Sequence, residues 1–94
     1  ALTGEPERAL RMLQTLLRDE QQVLDARDQR LIALRRQIGL LQRGLGQREE
    51  ARRTLSGLVD DLIRWNGPAH PMVGELRAQL DALARSGQPS PTTV

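Results

Sequence analysis

Apolar residues in this chain recur at intervals of three and four. Ala9, Met12, Leu13, Leu16, Leu17, Val23 and Leu24 form a first stripe, and Leu31, Leu34, Ile38, Leu41 and Leu45 a second. Ala51, Leu55, Leu58, Leu62 and Trp65 form a third, and Val73, Leu76, Leu80 and Leu83 a fourth. Such spacing gathers side chains on one side of an α-helix and disagrees with the two-residue alternation of a half-buried strand. Punctuation between the stripes fits. Thr3 is placed to cap the first helix, Pro6 to occupy its first turn, and Glu5 and Glu7 to face the positive end of its dipole. Asp28 is an N-cap candidate, Gly46 a C-terminal stop, and Asn66-Gly67-Pro68 a stop with a left-handed glycine before a residue that cannot continue the helix. His70-Pro71 opens the fourth helix and Ser86-Gly87 closes it. The pattern predicts an all-α chain with helices over about 5–24, 28–45, 47–66 and 71–86, and no strand.

Short connections make consecutive helices antiparallel neighbours. The small residues Ala9, Gly39 and Ala51 are then expected where helix axes approach most closely. Gly39 is the informative one, because a mid-helix glycine costs about 1 kcal/mol relative to alanine and normally has a packing reason. The polar stretch 88–94 carries Pro89 and Pro91 without periodicity and reads as a tail or linker outside a helical domain of residues 1–87.

The helices repeat. Gly4, Glu7, Ala9, Arg11, Leu13 and Asp19 recur 42 residues later as Gly46, Glu49, Ala51, Arg53, Leu55 and Asp61. Leu34, Arg35, Gln37 and Leu41 recur as Leu76, Arg77, Gln79 and Leu83 at the same interval. A fixed period between 20 and 50 residues marks a stacked architecture in which each unit covers its apolar face with its neighbours.

Composition removes several function classes. There is no cysteine, hence no disulfide or thiolate chemistry, and this leans toward a cytoplasmic setting. The longest apolar runs, such as Leu31-Ile32-Ala33-Leu34, are far too short to cross a membrane. All 14 basic residues are arginine, interleaved with 12 acids to a net charge of +2, and the single aromatic residue offers no stacking platform, so direct nucleic-acid contact is not expected. His70 is the only histidine and reads as a helix-entry residue, not a metal ligand or a triad member. Glu49-Glu50 and Asp60-Asp61 point apart on their helices and read as solvated faces, Trp65 continues the third stripe as core, and Gly44-Leu45-Gly46 lacks the strand and the Lys-Ser/Thr of a phosphate loop. No catalytic residue, metal site or cofactor is predicted; the reading is a non-enzyme.

The segment from Ile38 through Gly44 and Gly46 to Ala51, with the loops Leu24-Asp25-Ala26-Arg27-Asp28 and Gly67-Pro68-Ala69-His70-Pro71, resembles the tetratricopeptide repeats of the longer, kinesin-light-chain type found in bacterial multidomain signalling proteins. The likeness covers residues 4–85. It implies helical hairpins stacked as a right-handed solenoid fragment, a B-type first helix, one complete pair over 28–66, and a fourth helix of A type. Gln42 departs from the family's usual aromatic and Asp81 from its small residue, which fits the fourth helix to a solvating cap. The resemblance implies a scaffold that binds a protein or peptide in a groove lined by A helices: Arg36, Gln37, Leu40 and Arg43 with Gln79, Ala82 and Arg85. Arginine's planar fork suits carboxylates, so the expected partner is an acidic segment or a chain terminus. Two alternatives stand beside this. One is homodimerisation through stripes left open near Leu10 and Leu17 and near Met72 and Ala82; the other is the repeat-like activation domain of actinobacterial transcription regulators.

Overall fold

A computed structural model describes residues 5–86, which form α1 (Glu5–Gln21), α2 (Gln29–Gly44), α3 (Arg48–Asn66) and α4 (Pro71–Ser86) with no strand among them. Thr3, Gly87 and the 88–94 tail lie outside the described residues. Each helix packs mainly on the next one in the chain. Contacts that advance along α2, from Arg35 through Gly39 to Gln42, retreat along α3, from Asp61 through Leu55 to Thr54, so this pair is antiparallel. Along α2 and α4 they advance together, from Arg36 with Glu75 to Arg43 with Gln79, so these two helices run side by side in one direction.

The caps follow the local chemistry. Asp28, with extended backbone (φ −61, ψ 133), accepts from the Arg30 backbone N–H at 2.9 Å and from Arg30 Nε and Nη2 at 3.0 Å each. Its carboxyl is held below the ordinary range, first by the Arg30 side-chain hydrogen bonds and then by the backbone one. A group depressed in the folded state stabilises the fold above its ordinary value, here 3.8, and that contribution disappears as pH falls through the folded value. Asn caps as well as Asp without carrying charge. Asp28→Asn is therefore expected to leave the fold intact, with a deficit in melting temperature against the parent that is largest near neutral pH and shrinks as pH falls below the ordinary value of 3.8 and through the folded one. Thermal unfolding by circular dichroism across that range checks it. A deficit that stays constant from neutral pH through the acid range would refute the linkage.

At the other end of α2, Gly46 N–H reaches Arg43 O at 3.1 Å and Gln47 N–H reaches Gln42 O at 2.9 Å, the paired bonds of a Schellman stop. Gly46 takes the positive φ of 80° that the motif requires and that L side chains adopt at a cost of roughly 1–2 kcal/mol. The helix itself ends two residues earlier, at Gly44. α3 ends at Gly67, whose φ of 90° comes with ψ 164°, an extended mirror conformation and not the left-handed helical one that the sequence led us to expect. Pro68 explains the difference, since the residue before proline is pushed away from helical ψ.

Gly39 has its packing reason. A Cβ built there would stand 2.5 Å from Leu55 Cδ2, 2.7 Å from Leu55 Cγ and 3.3 Å from Thr54 Cγ2, so α2 and α3 meet through the missing side chain. Ala51 and Leu55 are wholly buried beside it, whereas Ala9 is only half-buried.

The interior divides in two. The main core joins Ile32, Ala51, Leu55, Leu58, Val59, Leu62, Val73, Leu76 and Leu83, with Trp65 and Met72 packed on its border. A smaller core joins Leu10, Leu34 and Ile38, bordered by Leu13, Leu17, Leu41 and Leu45. α2 therefore buries two sides and not the single stripe read from the sequence: Leu34 and Ile38 toward α1, and Ile32, Gly39 and Gln42 toward α3. The α1 stripe also shifts. Leu10 is its buried residue, while Met12, Leu16 and Val23 are exposed. Among the described residues α1 packs mainly on α2, so a stripe broad enough for two neighbours is half used. The helix also ends at Gln21, three residues short of expectation, and leaves Val23 in a turn.

Candidate functional site

The α2–α4 face carries the residues singled out from the sequence. Arg36 Nε donates to Glu75 Oε2 at 2.7 Å and its Nη2 bonds the same oxygen; Arg43 Nη1 donates to Gln79 Oε1. Gln37 and Arg85 are exposed, and Leu40 and Ala82 are half-buried. The fold thus brings α2 and α4 side by side, but the guanidinium of Arg36 already has a carboxylate. Arg43 meets a neutral amide and keeps its charge uncompensated by any ion pair among the described residues.

A better-formed concavity lies elsewhere. α1 and α3 flank α2 and leave a cleft of about 490 Å³ between them, floored by Ile38 and Gln42. Arg18 and Gln21 line its α1 wall, Arg53, Thr54 and Gly57 its α3 wall, and Arg35 projects from α2. Three guanidinium groups line this cleft and no carboxylate does. Arg35 is tethered to Asp61 by a 2.9 Å ion pair, and its guanidinium passes beside Gly57, where a Cβ would sit at an ordinary contact distance of 3.8 Å from Nη2. Arg53 touches Glu49 only loosely, at 3.7 Å on the exposed rim, and Glu49 is bonded more closely to Arg52. Exposed pairs of this kind contribute little, about 0–1 kcal/mol, and exchange readily for a ligand's carboxylate.

Buried in the cleft floor is a polar pair. Gln42 is 5% exposed, and Thr54 Oγ1 lies 2.6 Å from its Oε1 and 2.9 Å from the Glu50 carbonyl oxygen. A hydroxyl has one hydrogen. With the Gln42 amide turned over, its NH2 donates to Thr54 while the hydroxyl donates to Glu50, and all three groups are satisfied.

The remaining conspicuous residues have partners within the fold. His70 Nδ1 accepts from the Met72 N–H at 3.1 Å and opens α4. Trp65 is half-buried against the main core, with the Arg27 guanidinium 5.8 Å from its ring centroid. Asp61 is not the solvated residue its doublet implied: it is half-buried and bridges Arg35 and, at 3.6 Å, Arg64. Among the described residues no group of His, Asp and Glu could hold a metal ion, and no helix is long and apolar enough to cross a membrane. Of the open stripes expected for homodimerisation, Leu10 is buried, Leu17 is half-buried, and Met72 packs on the core. The exposed apolar face of α1 is instead Met12 and Leu16.

Comparison with protein-family models, with curated proteins and with solved structures gives no match for this chain.

Sequence reasoning missed Arg18, Arg35 and Arg53 as a group because they lie on three different helices with no common period. The signal available was Gly39, whose missing side chain lets α2 come close to α3.

Proposed function

We propose that this chain is a protein-interaction module of the tetratricopeptide-like kind, and that it takes an acidic segment of a partner in the cleft between α1 and α3. The observation that carries this reading is the lining: Arg18, Arg35 and Arg53 with glutamines and Thr54, and no acid. Guanidinium groups offer paired donors to a carboxylate, and amide and hydroxyl groups suit a peptide backbone. The parallel course of α2 and α4, the antiparallel α2–α3 pair and the 42-residue period support the stacked-hairpin reading. Cytoplasmic signalling proteins are the setting that reading implies.

The α2–α4 face is the second reading, favoured by the uncompensated Arg43. One titration separates the two. A fluorescein-labelled hexaglutamate peptide, followed by anisotropy at low salt, is expected to bind the parent chain. Arg18→Glu with Arg53→Glu is expected to weaken it roughly tenfold or more, since two attractive contacts become repulsive. Arg36→Glu with Arg43→Glu should change it less than about twofold. The reverse ranking would move the site to α2–α4, and no saturable binding by the parent would sink both.

A further inference from the structure

The 42-residue repeat identifies what the exposed face of α1 is made to meet. In the complete pair, α3 turns Thr54, Leu55 and Asp61 toward α2: Asp61 pairs with Arg35, Thr54 bonds Gln42, and Leu55 fills the space over Gly39. Their counterparts one period earlier are Met12, Leu13 and Asp19, with Leu16 in the place of Leu58. Met12 is 66% and Leu16 45% exposed, and with Arg8, Arg11, Thr15 and Asp19 they line a shallow depression of about 570 Å³. Asp19 is exposed and has no ion pair among the described residues, although its counterpart Asp61 is held at 2.9 Å. α1 thus leaves Met12, Leu16 and Asp19 uncovered where their counterparts on α3 have partners, while Leu13, packed beside α2, borders the depression.

We infer that this face docks an amphipathic helix of a partner protein built on the pattern of α2. That helix has an apolar residue where α2 has Ile32, an arginine at the Arg35 place to meet Asp19, and glycine or alanine at the Gly39 place to pass close to Leu13 at the border of the depression. Because Met12 replaces Thr54, it carries an apolar residue where α2 has Gln42. A second copy of this chain does not supply such a helix. Its α2 is already covered on both sides, and its α4, though it has Arg77 at the arginine position, would press the carboxylate of Asp81 against Leu13 where glycine is needed. The face lies on the opposite side of α1 from Arg18 and Gln21, so this site stands or falls apart from the acidic-segment cleft.

The probe is a labelled peptide of residues 28–45 of this same chain with Gln42→Leu, titrated with the whole 94-residue protein. Saturable binding is expected, weakened roughly tenfold or more by Met12→Glu with Leu16→Glu, which removes two apolar anchors. Asp19→Arg weakens it several-fold, and an Arg35→Glu peptide recovers affinity for that variant while losing it for the parent, a charge swap that non-specific adhesion does not reproduce. The peptide that keeps its native Gln42 binds more weakly than the substituted one. Absence of binding at millimolar peptide overturns the inference, as does binding that responds to Asp61 and ignores Asp19, which would mean that the peptide displaces the chain's own α2. So does a chain whose mass doubles with concentration until Met12 and Leu16 are replaced, because a second copy would then cover the face.

Discussion

Leu55→Ala is expected to cost about 2–5 kcal/mol of stability, the range for truncating a fully buried leucine. Leu55 has no exposed surface and belongs to the main core, so the lost contacts are not replaced by water. Total stability for a chain of this size is on the order of 5–15 kcal/mol, so the variant approaches the edge of folding. Gly39→Ala alone is also expected to destabilise, because its Cβ would come within 2.5 Å of Cδ2 of the fully buried Leu55; overpacking of this kind costs about 1–3 kcal/mol, against about 1 kcal/mol gained in helix propensity. The double variant is the sharper experiment. With Leu55 shortened, the atoms that collide with a Cβ at position 39 are gone. Gly39→Ala should then become stabilising, with a coupling of about 0.5–3 kcal/mol in a denaturant-unfolding cycle. Strict additivity would show that the two residues do not share the α2–α3 contact.

Thr54→Val should lower stability by about 1–3 kcal/mol, more than the loss of one ordinary hydrogen bond, because it leaves the buried Gln42 amide without its hydroxyl partner. Replacing both members, Gln42→Leu with Thr54→Val, removes the unsatisfied group along with its partner and is expected to return stability to the parent level or above it. Urea midpoints of the three variants decide the matter. If the double is worse than Thr54→Val alone, the pair is held by more than mutual satisfaction. The Gln42-Thr54 contact also floors the cleft between α1 and α3, so the stable double variant tests whether that amide takes part in binding without confusion from unfolding.

Helix number, order and most boundaries were legible in the sequence because local signals decide them. Asp28 caps whatever its surroundings, Gly46 stops a helix through its own φ, and three-and-four spacing reports a face. Gly39 was legible for a related reason, since an internal glycine is costly enough to demand a close neighbour. What a stripe does not report is how many neighbours share it. Met12 and Leu16 scan like Leu13 and Leu17, yet one pair faces α2 and the other faces outward, a difference set by packing order and not by either residue's chemistry. The charged residues were less legible still. Arg36 and Arg43 looked free on α2 until α4 ran alongside with Glu75 and Gln79, and Asp61 looked solvated until Arg35 reached across Gly57. Interhelical ion pairs depend on register between segments far apart in the chain, and periodicity carries no such information.

The division of the interior into two unequal clusters has an optical counterpart. Trp65 is the chain's only aromatic side chain, and it borders the larger cluster, whereas α1 packs on the smaller one. Intrinsic fluorescence therefore reports mainly on the larger cluster and senses the N-terminal side only through Arg27 in the α1–α2 connection, whereas far-ultraviolet circular dichroism weighs all four helices. Coincident transitions are the test of all-or-none unfolding. In this chain, the gap between the two midpoints would measure how independently α1 comes away, and a ligand bridging α1 and α3 would close it.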